Sequence, residues 1–131
     1  MAKLSITKAR ADELIKYLPV FSIPGRQFIT GWSRGTQPMP DYSTDVEEFF
    51  HLVGQEWWMD PTYDPIETQQ MLEDEQFVNS ADVDSIKKML TWCFRGERFA
   101  DGFWGSVLIE GKIQRLLTRL EQLRSTLPDT L

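Results

Sequence analysis

Apolar residues recur every three or four positions over most of the chain, which is the spacing of one face of an α-helix. A first helix is predicted over residues 7–18 and ends at Pro19. Its apolar positions are Ala11, Leu14, Ile15 and Leu18. A second helix begins at Ser43 or Thr44, with acidic residues in its first turn, where the helix dipole favours negative charge. Its apolar positions are Val46, Phe49, Phe50, Val53 and Trp57.

The second half of the chain predicts three more helices. Asp64, Pro65 and Glu67 read as a cap, a proline at the first helical position and a carboxylate three residues after the cap. The next helix is capped by Ser80 and ends near Gly96; its apolar face is Val83, Ile86, Met89, Leu90, Cys93 and Phe94. The last and longest begins at a cap, Asp101, and runs as one helix to Leu123, with Gly105 and Gly111 inside it. We expect close approach of a neighbouring helix or of an aromatic side chain at these glycines, because glycine weakens a helix interior; the alternative is a backbone exposed for contact with a ligand.

Residues 22–42 break the helical pattern. Prolines and glycines interrupt every long run there, at Pro24, Gly25, Gly31, Gly35, Pro38 and Pro40. We expect an irregular Pro/Gly-rich loop; the alternation of residues 27–32 leaves a short hairpin as an alternative. The whole pattern predicts a mainly α fold, a single-domain helical bundle of about five helices over residues 1–131.

Composition restricts the class of protein. The chain is 41% hydrophobic, 12% aromatic and 26% charged, as in soluble globular proteins. It contains no apolar run of about 18 residues that would span a membrane, and charged residues interrupt the first twenty positions, so no signal peptide is predicted. The single cysteine, Cys93, cannot form an internal disulfide. We therefore expect a cytoplasmic protein.

Charge is distributed in blocks along this acidic protein, whose net charge is -6. Residues 35–86 hold thirteen acidic side chains and no lysine or arginine, whereas both flanking segments are basic. In one interpretation the acidic segment folds against the basic ends with its surplus charge in solvent. In the other it offers an acidic face to a basic protein partner. Either way a nucleic-acid duplex is disfavoured as a partner, because phosphates need a cationic surface.

The most informative segment is residues 90–120, which carries charges and aromatics between two helical patterns. Its charged residues lie three and four positions apart, so they could form an ion-pair network supported by Phe99, Phe103 and Trp104. A functional interpretation is an anion site, in which two arginines lie beside the capped end of a helix. The candidate ligand-binding residues are Arg95, Glu97, Arg98, Asp101 and Trp104.

The same segment carries a resemblance to a known family. The pattern LTxCxRGERFxDGxWG followed by EGxIxRLLxRL, over residues 90–120, is similar to the signature of small bacterial proteins classified only as a domain of unknown function. The segments DVEEFF (residues 45–50), WWMDPTYDP (57–65) and MLxD (71–74) resemble that family as well. The resemblance implies no substrate, cofactor or partner.

Catalytic chemistry finds little support. Only His51 and Cys93 could act as soft metal ligands, so no metal or cofactor is predicted. Cys93 lies on an apolar helical face, as a core thiol does. His51 follows Glu47 by four residues, which favours a surface pair over a general base. No nucleophile elbow, phosphate loop, dinucleotide fingerprint or zinc-protease motif is present, and no catalytic residue is named.

Interaction surfaces remain. Lys112, Arg115 and Arg119 line one side of the last helix and could meet phosphate or, more favourably, the acidic segment of the same chain. Trp58 is out of phase with its helix and could anchor a partner or a homodimer. The sequence thus favours a non-catalytic binding or protein-interaction domain. The alternatives are a protein for a small anionic ligand, or an enzyme, using the Arg/Glu/Asp cluster, and lastly nucleic-acid binding through the last helix.

Overall fold

The chain is mainly helical, as the spacing of its apolar residues predicts. The computed structural model describes residues 6–33 and 39–129. Its helices are α1 (Lys8–Ile15), α2 (Leu18–Phe21), α3 (Thr44–Val53), α4 (Pro65–Glu73), α5 (Glu75–Asn79), α6 (Val83–Gly96), α7 (Phe103–Ile109) and α8 (Lys112–Leu123). A 3-10 turn, Arg124–Thr126, follows α8. The helices are shorter and more numerous than the five predicted, although the fold class is confirmed.

Short polar side chains begin several helices. The Asp64 carboxylate accepts the backbone N–H of Glu67 at 2.9 Å, so the predicted start of α4 is confirmed. At α6 the cap is Asp82, which accepts the N–H of Ser85 at 2.8 Å. The prediction of Ser80 was wrong, because Ser80 closes the turn that ends α5.

The last helix is two helices. The prediction of one helix from Asp101 to Leu123 was wrong, because Gly111 has φ of +79° and interrupts it between α7 and α8. Asp101 is not the cap either: Gly102, with φ of +88°, occupies that position and supplies no side chain. Left-handed backbone of this kind is open to glycine at little cost. Two short helices thus replace one long helix.

The hairpin alternative is confirmed within residues 22–42. Strand β1 (Ile29–Trp32) pairs antiparallel with β2 (Pro40–Tyr42). Residues 34–38 of the predicted loop lie outside the described residues. The hairpin packs on α7, where a Cβ atom added to Gly105 would lie 2.9 Å from Cδ1 of Ile29. Close packing therefore explains the glycine inside α7, as expected. At Gly111 the expectation of close approach was wrong, because the nearest atom to an added Cβ atom is a terminal nitrogen of Arg115, at an ordinary 3.8 Å.

The core is one cluster of buried apolar side chains drawn from Ile6 to Leu120. Aromatic rings fill much of it, with Phe49 contacting Phe21 at 5.2 Å and Phe50 at 5.1 Å between centroids. Helix α8 buries Ile113, Leu116, Leu117 and Leu120 and contacts α1, α5, α6 and α7. Its apolar face therefore organises the packing of the helices around it.

Ion pairs join the acidic segment to the basic ends. Arg26 pairs with Asp45 at the start of α3, and its guanidinium also donates to the Ser43 hydroxyl at 2.9 Å and the Val20 carbonyl at 3.2 Å. The Arg26 guanidinium holds the pKa of the Asp45 carboxyl below its ordinary value.

Across the described ranges, none of the helices combines the length and the apolar character that crossing a membrane requires.

Candidate functional site

Glu97 organises the turn between α6 and α7. Its Oε2 atom accepts the N–H of Gly102 at 2.9 Å, and its Oε1 atom accepts the N–H of Trp104 at 3.0 Å. Oε1 also accepts the hydroxyl of Tyr42 at 2.7 Å. The N–H groups of Gly102 and Trp104 are free backbone donors of the kind with which a helix begins. The helix dipole stabilises a carboxylate at this position.

The same contacts remove the helix end as a ligand site. The predicted anion site depended on free donors at the capped end of this helix, but the carboxylate of Glu97 already occupies them. Burial, and then the neighbouring Glu97 carboxylate, raise the pKa of Tyr42 well above its ordinary value. Glu97 and Tyr42 therefore act as a structural pair.

Trp104 also has a structural position. Its indole N–H donates to the carbonyl of Phe94 at 3.0 Å. Its ring stacks on Phe50, with centroids 4.4 Å apart and planes 7° apart. Trp104 thus fixes α7 against α3 and α6.

The predicted ion-pair network does not form in the part of the chain that the structure describes. Arg98 and Asp101 are exposed, and within residues 6–33 and 39–129 neither side chain makes a hydrogen bond or an ion pair. Both residues follow the end of α6. The Glu97 carboxylate accepts hydrogen bonds from backbone N–H groups and from a tyrosine hydroxyl, and from no arginine among the described residues. The spacing of three and four did not bring these charges together because α6 ends at Gly96.

An aromatic cleft of about 360 Å³ lies beside this turn. Its lining residues are Tyr63, Pro65, Trp92, Arg95, Gly96, Phe99, Ala100 and Phe103. Trp92 and Phe103 meet edge to face, with centroids 5.1 Å apart. Phe99 is 87% exposed. The cleft therefore offers aromatic surface on its wall and at its rim.

Gly96 allows this wall to form. A Cβ atom at position 96 would lie 2.1 Å from Cε1 of Phe103, which is far inside van der Waals contact. The Phe103 ring therefore lies directly against the last turn of α6, in space that any other residue would fill.

Arg95 is the charged residue of the aromatic cleft. Its guanidinium carbon lies 5.5 Å from the centroid of the Tyr63 ring, within cation–π range. Its Nε atom is buried and has no hydrogen-bond partner among the described residues. Among the ion pairs of those residues, none includes Arg95.

The residues predicted for an interaction surface have other partners. Trp58 is fully buried, so its prediction as a surface anchor was wrong; α3 ends at Val53, and its periodicity does not extend to position 58. Lys112 pairs with Glu110 at 2.8 Å. Arg115 donates to the Glu110 carbonyl at 2.9 Å, and Arg119 donates to the Ala81 carbonyl at 2.9 Å. Arg115 also lies 3.8 Å from Glu75 of the acidic segment.

Sequence reasoning missed Tyr63, Pro65 and Trp92 as lining residues. The first two lie in the WWMDPTYDP segment, whose dense aromatics were the available signal.

Cys93 is buried, and burial raises the pKa of its thiol to about 12, so it remains protonated near neutral pH. Across the described residues, no three histidine, cysteine or acidic side chains form a group that could hold a metal ion.

Comparison with known proteins gives a family and no activity. No match to the chain was found among curated proteins or among solved structures. A family model does match, over residues 6–126. The chain therefore belongs to the Family of unknown function (DUF6508).

Proposed function

We propose that the protein is a non-catalytic binding protein and that the aromatic cleft is its ligand site. The observation that carries this proposal is an open cleft of about 360 Å³ with aromatic walls and one charged group. Ligand pockets of roughly 300–1,000 Å³ are typical, with apolar walls and a few polar groups. Trp92 and Phe103 both offer aromatic surface to a ligand with an apolar ring.

Phe99 supports a binding role. Phe99 lines the aromatic cleft and has 87% of its surface in water. A ligand in the aromatic cleft would remove part of this ring from water, which stabilises a complex by about 25 cal/mol per Å² of apolar surface. Covering the Phe99 ring would therefore favour complex formation.

The lining chemistry favours binding over catalysis. General acid–base catalysis uses a group whose pKa lies near the working pH, and the lining residues include no histidine, carboxylate or cysteine. The alternative enzyme using Arg95, Glu97, Arg98 and Asp101 has little support, because Glu97 is held by three donors and the last two are exposed without partners among the described residues. The cleft is suited to holding a ligand unchanged.

The test uses 2-naphthamide, a neutral flat probe, titrated into the protein by calorimetry and followed at the indole N–H of Trp92 by NMR. We expect saturable binding that moves this resonance and is weakened about tenfold in Phe99→Ala. Ile109→Ala is the matched control, because Ile109 is 74% exposed on α7 and does not line the cleft. Absence of binding, or equal weakening in both variants, would overturn the proposal.

Three broader inferences accompany this function. We infer a single domain over residues 1–131, supported by the one core cluster that runs from Ile6 to Leu120. We infer a cytoplasmic location, which a buried free thiol at Cys93 fits. A bacterial origin is supported by the resemblance of residues 90–120 to small bacterial proteins.

A further inference from the structure

We propose that the ligand of the aromatic cleft is an aromatic carboxylate and that Arg95 binds its carboxylate group. This inference rests on the proposed function, because it names the class of ligand that the same cleft would take. It adds a charge requirement, which a purely apolar cleft would not have.

The guanidinium group of Arg95 carries an unsatisfied donor. Buried polar atoms in folded proteins almost always have a hydrogen-bond partner, because an unpaired donor loses its water without compensation. The Nε atom of Arg95 is buried and has none among the described residues. Its guanidinium lies near the Tyr63 ring, which provides a π face and no strong acceptor. The Nε atom itself is closed to solvent, but Arg95 lines the cleft and forms no ion pair among the described residues, so a ligand would bring an acceptor to the terminal nitrogens of its guanidinium.

The shape of the guanidinium group suits a carboxylate. Its two terminal nitrogens lie on the same edge of a rigid plane, and their spacing matches the two oxygens of a carboxylate. A carboxylate on that edge would accept from both terminal nitrogens. The ring attached to it would then extend over the apolar wall formed by Trp92 and Phe103.

The lining of the cleft favours a ligand with a single negative charge. The lining of the aromatic cleft is apolar apart from Arg95 and the Tyr63 hydroxyl, so a phosphate dianion would lose more hydration than one guanidinium can replace. A monoanion with a ring fits these constraints.

The experiment compares 2-naphthoate with 2-naphthamide, which have the same shape and differ in charge. We expect the protein to bind 2-naphthoate at least about tenfold more tightly than the amide. In Arg95→Met this preference should disappear while the amide still binds. Arg98→Met is the matched control: Arg98 lies three residues away, is exposed and should leave the preference unchanged.

The outcomes separate this inference from the proposed function. Equal affinity for both probes, or a preference that persists in Arg95→Met, overturns the role of Arg95 and leaves the cleft as a binding site. If neither probe binds, the proposed function itself fails. Should Arg95→Met not fold, Arg95→Lys keeps the charge and removes the fork. We expect it to retain less than half of the preference, and full retention would contradict bidentate binding.

The same chemistry could come from a free aromatic acid or from the C-terminal residue of a polypeptide. A tetra-alanyl-phenylalanine peptide is therefore titrated with a free and with an amidated C-terminus. Tighter binding of the free-acid peptide than of 2-naphthoate assigns a polypeptide terminus, and weaker binding assigns a free acid. In both cases loss of binding on amidation supports the proposal, and no effect of amidation contradicts it.

Discussion

The hydroxyl of Tyr42, at the end of β2, donates to the carboxylate of Glu97 across 2.7 Å, although 55 positions separate the two residues in the chain. The other contacts of this carboxylate are backbone N–H groups of Gly102 and Trp104. One side chain therefore joins the hairpin, the end of α6 and the start of α7. The Glu97 side chain thus fixes the turn beside which the aromatic cleft lies.

Glu97→Ala should lower the free energy of unfolding by roughly 2–3 kcal/mol, because three donors lose a charged acceptor. Glu97→Gln, which keeps an oxygen, should lose less. Urea denaturation measures both, with Glu121→Ala on exposed α8 surface as the control, for which a change within about 0.5 kcal/mol is expected. Equal stability of Glu97→Ala and Glu121→Ala would contradict the structural role of Glu97.

Tyr42 should make stability depend on alkaline pH. Its pKa is raised in the folded protein, first by burial and then by the Glu97 carboxylate. The stability due to the neutral phenol is therefore complete below about pH 10, where unfolded tyrosine titrates, and is lost as pH rises beyond it. Urea midpoints measured from pH 8 to pH 11 should fall more steeply for the natural protein than for Tyr42→Phe. Parallel curves would show that Tyr42 does not contribute.

Gly96→Ala should destabilise the protein by about 1–3 kcal/mol, because its Cβ atom would overlap the Phe103 ring in a packed wall. Displacement of that ring should also weaken 2-naphthamide binding. Gly31→Ala is the control, since a Cβ atom there meets only Asp41, at an ordinary 3.8 Å. Thermal unfolding of both variants checks the difference. If the two were equally stable, Phe103 could not lie where the structure has it.

Gly111→Ala should cost about 1–2 kcal/mol, because alanine is strained at φ of +79°. Gly111→Asn should cost less, since asparagine tolerates this conformation better. Chemical denaturation of the pair gives the comparison. A stabilised alanine variant would mean that α7 and α8 merge into the one helix that the sequence pattern predicts.

Local signals in the sequence predicted the elements that depend on neighbours in the chain. The start of α4 was predicted from Asp64 and Pro65, because the interactions of both residues lie within the first turn of the helix. The buried faces of α3 and α6 follow from apolar spacing. The break at Gly111 could not be predicted, because glycine is compatible with both helical and left-handed backbone and the choice depends on how α7 and α8 pack.

The candidate site was predicted less well, for a related reason. Residue spacing selected Arg95 and Glu97 as candidates, but their partners come from distant elements. Tyr42 reaches Glu97 from the hairpin, and Tyr63 reaches Arg95 from the segment before α4. The prediction for Trp58 was wrong because α3 ends at Val53, before the apolar periodicity from which the position of Trp58 was inferred. Such long-range contacts leave no periodic trace in a single sequence.

The seating of the hairpin on α7 has a consequence for motion. Two strands alone are marginally stable in water, yet Ile29 packs against Gly105, and Tyr42 is tied to Glu97. The backbone amides of β1 and of α7 should therefore exchange their hydrogens for deuterium through one shared opening event, and not through separate fraying of each element. The hairpin and α7 should therefore open together, as a single cooperative unit.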